Sequence, residues 1–258
     1  MDINLLVLNL GNSRLAMGTF VMGELGEVRR IPHGQQAEWT QAITDAWGRI
    51  EANDGAAVVA ASVNPGLEPA LQDAVDRATG RRIVWVGRDL ELPINVLTDE
   101  PEKTGVDRVL NIAASYEQVG HACVVVDAGT AITIDVCNDQ GEFLGGAIAP
   151  GASMMLDALH EKVVGLPRAD LAIPAGAWGA NTASAIVHGV YHGIRGMVKE
   201  LIENYATQLG SWPDVIATGG DAQKLFDGWE LIHAIAPDLT LYGIAMAFTN
   251  ERLKDSDE

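Results

Sequence analysis

Short apolar runs broken by single polar turns alternate along the chain with segments whose apolar residues recur at helical spacing. In the first half, strand-type runs at Ile3–Leu10 and Leu15–Met22 precede a helical pattern at Ala37–Glu51. A short strand, a helix and another strand are then predicted at Ala56–Ser62, Leu67–Ala78 and Ile83–Val86. Because strands alternate with helices, the pattern predicts mixed α/β sheets flanked by helices.

The second half of the chain repeats this order. A helix at Val109–Gln118 leads to a strand that begins at Cys123, and a turn and two further strands follow. The remaining predicted elements are helices at Ala152–Val163 and from Asn181 to about Leu209, a strand at Asp214–Ala217 and a helix at Leu239–Arg252. We therefore expect two domains, residues 1–118 and 119–258, each beginning with the same strand-turn-strand unit.

One polar turn occurs in both halves, directly after the first apolar run. The second copy is Asp127-Ala128-Gly129-Thr130, and the first is Asn9-Leu10-Gly11-Asn12-Ser13, which begins 118 positions earlier. Such a turn offers backbone N–H groups and a hydroxyl to a phosphate, while an acid at the strand end can hold a metal. The structural alternative is an Asp that caps a turn. A charge at the end of an apolar strand is costly, however, unless a cation or N–H groups satisfy it.

Composition narrows the possible partners. The formal charge of −18 argues against nucleic acid and against an anionic membrane surface, because binding to phosphates needs a positive field. No run approaches the roughly 20 apolar residues of a membrane span, and no signal peptide is expected after Asp2. Cys123 and Cys137 lie in apolar runs without metal-ligand spacing, which predicts reduced core residues of a cytoplasmic protein.

Four further motifs occur along the chain, one between the two turns and three after the second turn. They are Gly105-Val106-Asp107-Arg108, the glycine-rich stretch Gly145–Gly151, Asn181-Thr182 and Thr218-Gly219-Gly220. In order and spacing the whole set resembles the type III pantothenate kinases, a family of the acetate and sugar kinase, Hsc70 and actin superfamily. The resemblance covers nearly the whole chain. It implies a two-domain duplicated actin-like (ribonuclease H-like) α/β fold and a homodimer that binds ATP and pantothenate in the cleft between domains.

The resemblance also implies a reaction and the residues that perform it. The γ-phosphoryl group of ATP would pass to the primary hydroxyl of pantothenate, which gives 4'-phosphopantothenate in the first step of coenzyme A biosynthesis. Asp107 matches the catalytic base, since an attacking alcohol benefits from a carboxylate that orients it and accepts its proton. The matching substrate-binding residues are Gly105, Val106, Arg108 and Thr182. Without the resemblance, Asp107 is equally well explained as a first-turn helix acid, and Thr182 as the residue after the N-cap Asn181.

The two turns match the family's ATP and cation sites. Asp127 corresponds to the position that binds a monovalent cation, K⁺ or NH₄⁺, close to Mg²⁺ and the phosphates. The expected ATP-binding residues are Asn9, Gly11, Asn12, Ser13, Arg14, Thr130, Gly219 and Gly220. Arg14 either contacts a phosphate or faces solvent. Asn9 departs from the family, which has an Asp here to organise Mg²⁺; the amide keeps an oxygen but loses the charge.

Asn9 leaves alternative functions open. The leading hypothesis is a pantothenate kinase whose activity is weakened by Asn9. The alternative is a non-catalytic relative that binds nucleotide or pantothenate and acts through partners. A different kinase or phosphatase of the superfamily would explain the phosphate turns but not the Gly105–Arg108 and Asn181-Thr182 motifs.

Overall fold

The computed structural model describes residues 3–257, with side chains described for residues 3–254. The strands are β1 Leu5–Leu10, β2 Arg14–Val21, β3 Glu24–Pro32, β4 Ala57–Ser62, β5 Ile83–Trp85, β6 Cys123–Ala128, β7 Ala131–Cys137, β8 Phe143–Pro150, β9 Asp214–Thr218 and β10 Ala234–Ile235. The α-helices are α1 Trp39–Trp47, α2 Glu68–Thr79, α3 Val106–Val119, α4 Ala152–Lys162, α5 Thr182–Leu209, α6 Ala222–Phe226 and α7 Leu239–Asp257. Short 3₁₀ helices lie at His33–Glu38, Pro65–Leu67 and Pro101–Lys103. No helix within the described residues is both long and apolar enough to cross a membrane.

The strands form two five-stranded sheets of one topology. The first sheet has the order β3-β2-β1-β4-β5 and the second has β8-β7-β6-β9-β10. In each, a three-stranded antiparallel meander is followed by parallel strands, which require crossover helices. The predicted duplication of a mixed α/β unit is therefore present in the strand order itself.

The ladder registers align the two meanders residue by residue. Asn9 on β1 lies opposite Ala16 on β2, and Asp127 on β6 lies opposite Thr133 on β7. The parallel neighbours are Ala61 for Asn9 and Thr218 for Asp127. The two turns singled out in the sequence therefore occupy equivalent places.

The chain divides into two compact units, each with its own core. Unit 1 comprises Met1–Asn95, Glu100–Ala114 and Asp238–Glu258, and unit 2 comprises Val96–Asp99 and Ser115–Pro237. The expected division between residues 118 and 119 thus differs from these units chiefly in α7. Buried α7 residues such as Leu241 and Ile244 pack in one cluster with Leu5 and Val7 of β1, which groups this helix with unit 1.

Both faces of the first sheet are covered by apolar side chains. Trp39 and Ile43 of α1 pack with Leu6 and Leu8 of β1, while Leu5 and Val7 face the α7 side. In unit 2, α5 supplies Ile194, Val198 and Ile202 to the core beneath β6 and β7. The strands β1 and β6 are therefore buried throughout most of their length, and each becomes only partly buried at its polar residue, Asn9 or Asp127.

The two cysteines are free and buried, as predicted. Cys123 and Cys137 lie on the adjacent strands β6 and β7, with their sulfur atoms 3.3 Å apart. Their burial among apolar neighbours is consistent with a packing role.

Candidate functional site

The first turn joins β1 to β2 through a tight backbone closure. Gly11 N–H donates to the carbonyl of Arg14 at 3.1 Å, and Asn12 and Ser13 at the tip are exposed. The Asn9 side chain is partly buried, and its Oδ1 has no hydrogen-bond partner within the described part of the chain. A buried amide oxygen without a partner is costly, so this position holds an acceptor that a ligand could satisfy.

His33 supports this turn, a contact that the sequence did not indicate. Its Nε2 lies 2.9 Å from the carbonyl oxygen of Gly11, and His33 N–H donates to the carbonyl of Ser13. Because a carbonyl oxygen can only accept, Nε2 carries the hydrogen of this bond. A histidine 22 positions away gives no periodic signal that could have connected it with the turn.

Gly105, Val106, Asp107 and Arg108 lie together at the start of α3 in unit 1. The Asp107 carboxyl is half-buried, and its Oδ1 accepts the Arg108 N–H at 2.9 Å. Burial raises the pKa of Asp107, while the bond from Arg108 and the positive charge of Arg108 oppose the rise. A carboxyl with a raised pKa accepts a proton more readily than an exposed one, which suits a general base.

Gly105 leaves space beside the Asp107 carboxyl. A Cβ atom at this position would lie 2.9 Å from Asp107 Oδ1 and 3.5 Å from Arg108 Cδ. Since real Cβ atoms essentially never approach other atoms within 3.0 Å, any side chain here would displace the carboxyl. The glycine therefore keeps one side of Asp107 open.

In unit 2, Asp127 is the penultimate residue of β6 and lies between two glycines. A Cβ atom at Gly219 would collide with Asp127 Oδ1 and with the backbone of Ala128, and one at Gly129 would lie 3.5 Å from the same Oδ1. Gly219 also has φ +94°, a conformation that side chains rarely adopt. The structure thus brings Asp127, Gly129 and Gly219 together around one carboxyl group.

The backbone of the second turn is fixed on two sides. Gly151 N–H donates to the carbonyl of Thr130 at 3.0 Å, and a Cβ atom at Gly151 would collide with the carbonyls of Gly129 and Thr130. Asp221 N–H donates to the carbonyl of Ala128 at 2.9 Å. These contacts explain the glycine of the Pro150-Gly151 pair and leave the Thr130 side chain exposed.

Thr182 is the exposed first residue of α5 in unit 2. Asn181 caps the helix as predicted, because its side chain accepts the Ser184 N–H at 2.9 Å while Ser184 Oγ accepts the Asn181 N–H at 3.1 Å. Gly220 is exposed beside Gly219, and Arg14 is partly buried at the start of β2. The residues predicted for the site therefore fall into a set in unit 1 and a set in unit 2, each at the ends of strands or the start of a helix.

A duplicated α/β unit with a glycine-containing turn after its first strand defines the actin-like class of folds. Known structures show this fold directly. A Baf family protein from Campylobacter jejuni superimposes with a TM-score of 0.64 at 19% identity, over 96% of this chain and 99% of that one. MreB5 of Spiroplasma citri, solved with AMPPNP, superimposes with a TM-score of 0.52 at 11% identity over 100% and 99% of the two chains.

The particular family is established by sequence. The profile of the type III pantothenate kinases matches residues 5–204. Type III pantothenate kinases from Dehalococcoides mccartyi and from an Anaeromyxobacter species are 33% and 34% identical, covering 95% and 96% of this chain and 95% and 100% of theirs. The enzyme from Gluconobacter oxydans is 44% identical over 67% of this chain and 62% of its own length. The chain belongs to the type III pantothenate kinase family, and nothing in these comparisons supports the non-catalytic alternative.

Proposed function

We propose that this protein transfers the γ-phosphoryl group of ATP to the primary hydroxyl of pantothenate, the first step towards coenzyme A. The observation that carries the proposal is the Asp107 carboxyl, half-buried at the start of α3 in a chain that belongs to this family. Asp107 orients the attacking hydroxyl and accepts its proton, and its raised pKa favours that transfer. The neighbouring Arg108 pairs with the pantothenate carboxylate, for which a guanidinium offers a bidentate fork.

The glycines of the site serve the same reaction. Gly105 leaves Asp107 Oδ1 accessible, and Gly219 and Gly220 allow a nucleotide to approach the backbone without side chains in the way. Gly11, Asn12, Ser13 and Thr130 supply N–H and hydroxyl donors to the phosphates from the two turns, with Arg14 beside the first. Thr182 supplies a hydroxyl to pantothenate.

The residues present fit the cations that the family uses. Asn9 Oδ1 is a buried oxygen without a partner in the described chain, and oxygen is the ligand that Mg²⁺ takes. Asp127 supplies a carboxylate in a space that two glycines keep clear, which suits a monovalent cation, K⁺ or NH₄⁺. When bound, these cations neutralise charge on the phosphate oxygens and so favour phosphoryl transfer.

We further propose that the protein acts as a cytoplasmic homodimer. Six large apolar side chains within residues 148–178 are exposed, including Ile148 at 65%, Val164 at 104% and Trp178 at 78%. The concentration of exposed apolar side chains in the segment just before Thr182 supports an interaction surface there. Analytical ultracentrifugation should give twice the mass of 27.4 kDa, and a monomer at all concentrations would contradict the dimer.

A coupled assay of ADP release tests the proposed reaction. With ATP, Mg²⁺ and K⁺ present, ADP should form only when pantothenate is added, and mass spectrometry should detect 4'-phosphopantothenate. Asp107→Asn is the negative control, because the amide keeps the shape but cannot accept the proton. Absence of pantothenate-dependent ADP release from the wild type at any Mg²⁺ concentration would overturn the proposal.

A further inference from the structure

Asp135 on β7 is a buried carboxyl group for which the proposed reaction has no role. Only 1% of the residue is exposed, and its Oδ2 accepts a hydrogen bond from Thr133 Oγ1 at 2.9 Å. Gly146 on β8 lies opposite, and a Cβ atom there would collide with Asp135 Oδ1. Burying a carboxyl group is costly unless hydrogen bonds satisfy it, and Thr133 supplies one such bond.

Thr133 connects Asp135 with Asp127. The ladder places Thr133 directly opposite Asp127, so the two side chains stand on one face of the sheet with Cβ atoms about 5 Å apart. A threonine hydroxyl has one hydrogen to donate and two lone pairs. Because that hydrogen is given to Asp135, the Thr133 oxygen presents only lone pairs to its other neighbours.

The equivalent positions of unit 1 carry no such pair. The register matches Thr133 with Ala16 and Asp135 with Gly18, since Ala16 lies opposite Asn9 and Gly18 lies opposite Val7, as Asp135 lies opposite Val125. Unit 1 completes the same meander with two residues that carry no polar side chain. Of the two units, the hydroxyl and the carboxyl therefore occur at these positions only in the one whose first strand carries an acid near its end.

We propose that Asp135 is a positioning residue that acts through Thr133 on the cation site at Asp127. By taking the hydroxyl hydrogen, Asp135 prevents Thr133 from donating to the Asp127 carboxylate. Thr133 Oγ1 and the carboxylate then both offer oxygen lone pairs to a monovalent cation. This inference rests on the proposed cation site and adds one ligand and the residue that orients it.

The test measures cation dependence of ATP binding, without turnover. ATP is titrated into the 258-residue protein by isothermal calorimetry at increasing K⁺ concentrations, while tetramethylammonium keeps the ionic strength constant. The series gives the K⁺ concentration at which half of the gain in ATP affinity is reached. Asp135→Ala should raise that concentration about 10–100-fold, as does the loss of a residue that hydrogen-bonds to a metal ligand. Thr133→Val should raise it by a similar factor. The double variant should raise it little further, because Asp135 acts through Thr133. Asp135→Asn, which keeps an acceptor oxygen, should restore most of the response.

Matched variants decide between positioning and mere stability. Thr207→Val removes an exposed helix hydroxyl that donates to the Glu203 carbonyl, and it should leave the K⁺ response unchanged. A wild-type K⁺ response in folded Asp135→Ala or in Thr133→Val would overturn the inference. If Asp135→Ala does not fold, Thr133→Val decides alone.

The outcomes also separate this inference from the proposed function. A wild type that phosphorylates pantothenate with no response to K⁺ overturns the inference and leaves the function intact. A wild type that binds ATP in a K⁺- and Thr133-dependent way without phosphorylating pantothenate supports the inference and overturns the function.

Discussion

Substituting Gly219 by alanine should damage both stability and the Asp127 site, and the structure supplies a control for each effect. Gly219 has φ +94°, and a Cβ atom there would lie far inside the 3.4 Å of ordinary contact from Asp127 Oδ1 and the Ala128 carbonyl. Gly228 in the same unit has φ +66°, but a Cβ atom there would meet nothing within 4 Å. Alanine would therefore meet backbone strain at both positions, but would collide with other atoms only at Gly219.

The expected magnitudes follow from this difference. Placing alanine in a left-handed conformation costs about 1–2 kcal/mol, which is the whole effect expected for Gly228→Ala. Forcing a methyl group into occupied space adds about 1–3 kcal/mol, so Gly219→Ala should lose about 2–5 kcal/mol. For a domain of this size each kcal/mol lowers the melting temperature by roughly 2–4 °C.

Thermal unfolding followed by circular dichroism measures the first effect, and calorimetric titration of ATP at fixed K⁺ measures the second. Gly219→Ala should melt below Gly228→Ala and bind ATP more weakly, because the methyl group displaces the Asp127 carboxylate. Gly228→Ala should retain wild-type affinity. If Gly219→Ala matches Gly228→Ala in both melting temperature and ATP affinity, the glycine does not shape the Asp127 site.

Three further variants test other parts of the structure. Asp107→Asn should lower turnover by about 10²–10⁴-fold in the ADP assay while ATP affinity is retained. Because burial raises the pKa of Asp107, the ionised carboxylate destabilises the folded state. Asp107→Asn should therefore have a higher melting temperature than the wild type at neutral pH, and the difference should disappear as pH falls through the raised pKa of Asp107. Asn9→Asp should raise activity most at low Mg²⁺, and equal gains at all Mg²⁺ concentrations would contradict a role in holding the metal. Asn181→Ala should cost about 1 kcal/mol by loss of the α5 cap, measured by thermal unfolding.

Local sequence patterns predicted most of the elements close to the two turns. The predicted strand-turn-strand units became β1–β2 and β6–β7, and the helix expected to begin after Asn181 begins at Thr182. The helix expected from Val109 begins three residues earlier, at Val106, so that Asp107 lies in its first turn. Short strands that are buried throughout, and caps with side-chain acceptors, carry signals within a few residues of sequence.

The parts that the sequence did not predict depend on contacts between distant segments. No strand was expected at Glu24–Pro32, because β3 is an edge strand whose residues are mostly polar or exposed and show no clean alternation. The packing of α7 with β1 joins residues more than 200 positions apart, and periodicity does not tell which sheet a helix covers. The contact of His33 with Gly11 and the close approach of Gly219 to Asp127 also join distant segments of the sequence.

The duplicated topology makes the difference between the two turns informative. Asn9 is flanked in its sheet by Ala16 and Ala61, whereas Asp127 is flanked by Thr133 and Thr218. The Asn9 amide is uncharged and lies between two alanine methyl groups, and its oxygen is buried without a partner within the described chain. It can therefore offer a metal one neutral oxygen ligand, and the phosphates must balance the charge of that metal. A carboxylate between two hydroxyls offers charge and several oxygen atoms. We therefore expect the proposed monovalent cation to contribute more to ATP binding, and Mg²⁺ at the first turn less, in this protein than in its Asn9→Asp variant.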